Sequence, residues 1–311
     1  MEHQSVVLLG EAGCGKTQEL QWIELCCYKD ADLPRAVRIP LRTYSNESMA
    51  QLAGQHGVEP GEQENLIFLI DGFDEIAGVH KQNFLKQAAL YQQENKEARF
   101  LISTRNHFYR DGLFGEAFKA VWMQPLTESD IECYVMELGI SYKNWKQQID
   151  AGKLSAVVEN PFYLVEMCRI YQECGEVPER DRLMQTLTER KLRQDLEKYR
   201  MTGKMDFEEN AVKAEILLER LAVAMHAMDI RVLTEAEYER LVPSSEEREL
   251  LKYSGIWQQR DGNWQFTHNN FGEYLAAKYL SGCPLVKVQK LVSLGYLELG
   301  ISKNWHHVLS Y

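Results

Sequence analysis

One short run of residues constrains the fold more than anything else in the chain. Gly10–Glu11–Ala12–Gly13–Cys14–Gly15–Lys16–Thr17 satisfies G-x-x-x-x-G-K-[ST], directly after the apolar run Val6–Leu9 and before a helical pattern with Leu20, Ile23 and Cys27 on one face. Such a loop needs glycine because its backbone must wrap until successive N–H groups point inward at one phosphate. The helix that follows adds the partial positive charge of its N-terminus. Gly10, Gly13, Cys14 and Gly15 are therefore expected to cradle phosphate, Lys16 to bridge β- and γ-phosphates, and Thr17 to ligate Mg2+. Chance is a weak rival, since with glycine near its average frequency the pattern arises in about 1% of chains of this length, before a strand and a helix are demanded.

The pattern around the loop is that of an α/β sheet. Further strands are predicted at 36–41, 66–71, 99–104 and 121–124, and a helix carrying Phe84, Leu85, Ala88 and Tyr91 lies between Asp71 and Arg99. Continuous apolar strands separated by helices indicate a parallel sheet covered on both faces. The strand 66–70 runs into Asp71–Gly72–Phe73–Asp74–Glu75, which places acids at the carboxyl end of a buried strand, where open α/β sheets bind ligands. One acid can hold the Mg2+ shell and another can orient an attacking water. The competing reading is a polar loop leaving a strand. Arg105 closes the run Phe100–Thr104 at the same sheet edge, where a guanidinium can sense a γ-phosphate or simply be solvated.

From Thr127 onward the pattern turns helical. Thr127 with Asp130 opens a helix presenting Ile131, Tyr134, Val135 and Leu138, and Gly139 ends it. Asn160–Pro161 caps and starts another that runs toward Gly175, and long amphipathic stretches follow at 180–200 and 208–228. Two capping boxes, Thr234-x-x-Glu237 and Ser244-x-x-Glu247, then open short helices. Strands at 256–258 and 264–267 flank Asp261–Gly262, and 271–280 is helical, an order that reads as a winged helix. The expected division is a P-loop NTPase domain over 1–125, a helical domain over 126–205, a winged helix over 206–283 and the start of a further helical segment over 284–311.

Composition narrows the partners. Lys and Arg number 35 against 46 Asp and Glu, a net charge of −11 that repels a phosphate backbone, so nucleic acid is not expected as a main partner. There is neither an apolar run of membrane-spanning length nor a basic-then-apolar leader, which predicts a cytoplasmic protein without a membrane partner. The seven cysteines contain no C-x-x-C pair and read as reduced core thiols. His306 and His307 are adjacent, about 100° apart on a helix, a poor geometry for one metal ion.

The ordered set GEAGCGKT, LIFLIDGFDE, FLISTR, NPFYL and FTHNNFGEYLAAKYL resembles the NACHT class of STAND signalling ATPases, the nucleotide switches of animal inflammasome receptors and bacterial antiphage proteins. The resemblance covers nearly the whole chain. It implies that Gly15, Lys16 and Thr17 are the Walker A contacts and that Asp71 is the Walker B magnesium residue. It also implies that Asp74 and Glu75 are the extra acidic pair of NACHT proteins, with Gly72 as the small residue before it. Arg105 matches sensor 1, Pro161 the proline that packs near adenine, and His268 the winged-helix histidine that reaches the ADP β-phosphate at rest. On its own residues His268 reads rather as a cap of the helix 271–280, and it is the F-x-H-x-x-F-x-E-Y-x-A-A frame that reverses this. The sequence departs from the family at three places. Only Met1–Ser5 precedes the first strand, where the family has a segment lining the adenine pocket; Gly272 stands where Gln is common; and neither an effector nor a repeat sensor is expected within the chain.

The resemblance implies a switch closed with ADP that self-associates with ATP, hydrolyses it slowly and answers a protein trigger through a sensor outside this chain, in innate immunity or antiphage defence. Two rivals stand beside it: a continuously hydrolysing AAA-like remodelling ATPase, and a DNA-binding regulator. Against the second, the would-be recognition helix sets Glu246, Glu247 and Glu249 against Arg248 and Lys252. Arg110 is a candidate arginine finger by position alone.

Overall fold

The computed structural model describes residues 5–59, 65–76, 78–109, 113–115, 118–200, 207–260, 262–293 and 300–311, so Arg110 and Asp261 lie outside the described residues. The chain divides into two compact units, Met1–Gln124 and Pro125–Tyr311.

The first unit is built on five parallel strands, β1 (Ser5–Leu9), β2 (Arg35–Pro40), β3 (Leu66–Asp71), β4 (Arg99–Thr104) and β5 (Phe118–Trp122), in the order β2-β3-β4-β1-β5. With the glycine loop after β1, this is a P-loop NTPase fold, and its ligand crevice lies at the carboxyl ends of β1, β4 and β3. Alternation sorts the strand residues by face. Val7, Leu9, Val37, Ile39, Phe68, Ile70, Phe100 and Ile102 join one buried core with helices α2 (Met49–Gln55) and α3 (Gly78–Glu94), and the Phe68 and Phe100 rings stack across neighbouring strands. The other face carries α1 (Lys16–Lys29), whose Leu20 is fully buried. Coverage is unequal: Leu8 and Leu69 are buried there, but Val6, Ile67 and Leu101 are only half-buried, and Trp22 and Tyr28 of α1 are exposed. The last strand begins three residues earlier than the apolar run 121–124 predicts, because Ser5↔Phe118 through Leu9↔Trp122 sets its register and it is an exposed edge.

The second unit is helical. Its first helices are α4 (Glu128–Glu137), α5 (Tyr142–Ala151), α6 (Ser155–Val158), α7 (Pro161–Cys174) and α8 (Leu183–Arg200). Then follow α9 (Phe207–Ala227), α10 (Glu235–Leu241) and α11 (Ser245–Lys252), the antiparallel hairpin of β6 (Trp257–Arg260) and β7 (Asn263–Phe266), α12 (Asn269–Ser281) and α13 (Leu285–Val292). The caps explain most of the boundaries. Thr127 with Asp130 and Thr234 with Glu237 form complete capping boxes, Asn160 accepts from the Phe162 N–H with Pro161 at the first helical position, and Gly175 ends α7 in the left-handed region. Ser244 makes only half of the expected box: it accepts from the Glu247 N–H, while the Glu247 carboxylate lies 3.5 Å from Lys213. One apolar core runs from Ile131 to Val308, with α12 packed along α9. Leu233 bridges Trp264, adding a third short extended segment beside the hairpin. A Cβ on Gly272 would stand 2.9 Å from the Phe266 ring, so the glycine at this position is what lets α12 lie against β7.

Candidate functional site

The loop after β1 is shaped by two left-handed glycines and one close approach. Gly13 and Gly15 have φ of 77° and 96°, which disfavour any side chain, and a Cβ on Gly10 would lie 2.4 Å from the Cys14 sulfur. The Gly10 N–H donates to the Thr104 carbonyl, which ties the loop's start to the end of β4. The Lys16 ammonium folds back into the loop, donating to the carbonyls of Gly10 at 2.7 Å and Glu11 at 2.9 Å, with the Cys14 sulfur 3.9 Å away. A lysine held this way is positioned as a point charge at the loop's own mouth, and phosphate oxygens are stronger acceptors than those carbonyls. Asn106 closes one side by donating to the Glu11 carboxylate at 2.7 Å.

The loop meets the acidic strand end directly. Thr17 Oγ1 donates to Asp71 Oδ1 at 3.2 Å, bringing the two residues expected at the metal into one contact. A hydroxyl and a carboxylate are hard oxygen donors of the kind that hold Mg2+ through few protein ligands, so the donor set fits that ion. Among the described residues no group of three or more His, Cys, Asp or Glu side chains converges on a metal-sized point, because the acids of this turn face different ways. Asp71 turns to Thr17 and to Ser103, whose Oγ donates to Oδ1 at 2.9 Å. Asp74 turns instead to Arg105, at 3.0 Å from Nε, and both side chains are buried, 6% and 4% exposed. The Asp74 carbonyl also accepts from Lys81.

Glu75 completes the turn. Gly72, at φ 85°, reverses the chain, and a Cβ there would press within 3.1 Å of the Glu75 side chain, so glycine makes room for the acid to fold back. Loss of hydration pushes the Glu75 carboxyl above its usual range; the negative charges of Asp74 and Asp71 add to this, and Arg42 and Arg105 oppose it. Arg42 sits in the 3-10 turn after β2, the strand paired with β3. Neither Arg42 nor Ser103 is among the residues expected from sequence. The signal for both was positional: Arg42 follows, and Ser103 lies next to the end of, a strand beside the acidic one.

In the second unit the motif residues Pro161 and His268 lie at the starts of α7 and α12. These two helix starts touch through Phe162, whose ring stacks on His268 with centroids 4.1 Å apart, and also meets Phe271 edge-on. His268 caps α12, its Nδ1 accepting from the Asn270 N–H at 3.2 Å, which places the proton of the neutral ring on Nε2. Asn270 in turn donates to the Tyr163 hydroxyl. The capping role and the aromatic seat are both properties of this unit alone.

No family model matches the chain, and no curated protein matches it. Among solved structures it is similar to a STAND protein with a tetratricopeptide repeat sensor from Pyrococcus horikoshii, at 15% identity and a TM-score of 0.44 over 91% of this chain and 44% of that one. The chain thus spans less than half the length of that protein. It is also similar to AMPPCP-bound DnaA from Aquifex aeolicus, at 16% identity and a TM-score of 0.40 over 81% of this chain and 84% of that one. A third likeness is to the AAA domain of FIGL-1 in complex with ADP, at 16% identity and a TM-score of 0.38 over 56% and 63%. Among the described residues no helix is long and apolar enough to cross a membrane.

Proposed function

We propose that the chain is the nucleotide-switch core of a STAND signalling ATPase of the NACHT class, binding ATP or ADP with Mg2+ and hydrolysing ATP slowly. The observation that carries the reading is the 3.2 Å contact between Thr17 and Asp71, which joins the glycine loop to the acidic strand end as a metal-dependent phosphate site requires. Gly10, Gly13, Cys14 and Gly15 supply backbone to the phosphates, Lys16 the charge, and Thr17 and Asp71 the metal ligands. Bound Mg2+ would neutralise the charge that develops on the phosphates. Asp74 and Glu75 orient the attacking water, and lost hydration together with the charges of Asp74 and Asp71 raises the proton affinity of Glu75. Arg105 senses the γ-phosphate; its Nε is held by Asp74, and a guanidinium carries further N–H donors with which to do so.

The switch reading assigns Pro161 to the adenine and His268 Nε2–H to the β-phosphate of ADP, with 206–283 as a winged helix that closes on ADP and is released by ATP, allowing self-association on a protein trigger. We assign the remaining segments as a P-loop domain over 1–125, a helical domain over 126–205 and a further helical segment from 284. Innate immunity or antiphage defence is the setting this class implies. The observed helix pairings speak against a nucleic-acid partner: the two basic residues of α11 are engaged at home, Arg248 on the carbonyls of Val242 and Pro243 and Lys252 on Glu249 at 3.0 Å.

The test is the nucleotide retained through purification, together with steady-state turnover. A switch retains ADP and turns over slowly, and His268→Ala sheds the ADP. Rapid turnover with no retained ADP would instead identify a remodelling ATPase.

A further inference from the structure

We propose that Ser103 is a positioning residue that couples the metal-binding carboxylate to the turn carrying the water-orienting acids, an inference that rests on the nucleotide–Mg2+ reading above. Ser103 is fully buried near the end of β4, beside β3. Its hydroxyl accepts from the Gly72 N–H at 2.8 Å and donates to Asp71 Oδ1 at 2.9 Å. A hydroxyl has one proton. Because the Gly72 N–H occupies it as an acceptor, that proton goes to the carboxylate, and the direction of both bonds is set. Thr17 Oγ1 is the other donor to the same carboxylate oxygen, and it is also an expected metal ligand. When Thr17 turns its oxygen to a cation, Ser103 is the contact that still fixes how Asp71 presents its carboxylate.

The second bond extends the effect. Gly72 stands at φ 85° at the start of the turn Phe73–Glu75, so the same hydroxyl that orients Asp71 also pins the reversal from which Asp74 and Glu75 project. Partners behind a metal ligand typically change metal affinity by about 10- to 100-fold when removed, and this one has a backbone partner too. Ser103 therefore acts on how well a metal couples to nucleotide, through Asp71, without touching either.

The experiment titrates Mg2+ against the affinity of a fluorescent N-methylanthraniloyl ATP for parent, Ser103→Ala, Ser103→Cys and Ser103→Thr chains, with a parallel series in EDTA and a melting curve for each. In Ser103→Ala the Mg2+ concentration giving half of the affinity gain should rise about 10- to 100-fold, while affinity in EDTA stays at the parent value. Ser103→Cys fills the site with a slightly larger atom that is a weak donor, and it should follow Ala; Ser103→Thr keeps the hydroxyl and should follow the parent. A Cys chain that matches the parent's Mg2+ midpoint shows that Ser103 only fills space and overturns the proposal; this arm decides even if the Ala chain does not fold. Failure of the parent to bind the nucleotide at any Mg2+ concentration would be distinct, since it removes the phosphate-loop reading itself.

Discussion

The acidic strand end of the first unit is buried, whereas the paired helix starts of the second are only half-buried at Pro161, Phe162 and His268, and the two are held by different physics. At the strand end, buried Asp71 accepts from Ser103 and buried Asp74 pairs with Arg105, so each carboxylate depends on the polar partner beside it. At the helix starts, Phe162 packs its ring on His268 and Phe271, and His268 also caps its helix. A charged network responds steeply to another charge brought beside it, whereas a stacked and capped one responds to shape. The contrast is in keeping with the roles proposed above, phosphate and metal at the first and a closed ADP state at the second.

The sharpest way to break the comparison is to remove one half of the ion pair. Asp74→Ala or Arg105→Ala leaves a buried charge without its counterpart and should cost about 3–5 kcal/mol in chemical denaturation. Replacing both, Asp74→Leu with Arg105→Met, should cost much less than the sum. Single variants as stable as the parent would show that the pair is not buried in solution.

His268 tests the other region with a smaller effect. His268→Ala should lose about 1 kcal/mol of cap together with the ring contact, whereas His268→Asn restores a capping side chain. If the histidine also binds phosphate, Asn should recover stability but not ADP retention. Recovery of both by Asn would reduce His268 to a helix cap.

The smallest effect is the pH dependence that Glu75 imposes, measured without metal. Its folded carboxyl holds its proton more tightly than the unfolded one, chiefly through lost hydration and then through Asp74 and Asp71, against Arg42 and Arg105. Below about pH 4 both states are protonated and the group is neutral to stability; as pH rises past the ordinary carboxylate value the unfolded chain releases its proton first, so stability falls. Glu75→Gln should therefore melt level with the parent near pH 4 and above it near pH 7. A difference independent of pH would show that Glu75 is ordinarily hydrated.

Features written in consecutive residues were legible in the sequence, and features written across space were not. The loop Gly10–Thr17, the acid Asp71 at its strand end and the cap at Asn160–Pro161 are each contiguous signals, and each sits where its local pattern puts it. The pairing of Asp74 with Arg105 was not readable, because each residue alone has an adequate role facing phosphate or water. Ser103 is one small polar residue in an apolar strand, and only the register of β3 beside β4 gives it a task. Helix α5 passed unmarked because Ser141 makes no side-chain cap, and the start of β5 was misplaced because a strand's edge is set by its partner rather than by its own apolar residues.

The central claim, that the loop after β1 binds nucleotide phosphate with Mg2+, is tested most directly by calorimetric titration of ADP and ATP into the parent and Lys16→Ala chains, with and without Mg2+. The parent should bind both nucleotides, more tightly with the metal. Lys16→Ala should weaken binding about 10- to 150-fold, the equivalent of one charge-assisted hydrogen bond of about 1.5–3 kcal/mol, with an unchanged melting curve. Equal affinities for the two chains, or no Mg2+ effect in the parent, would contradict the account.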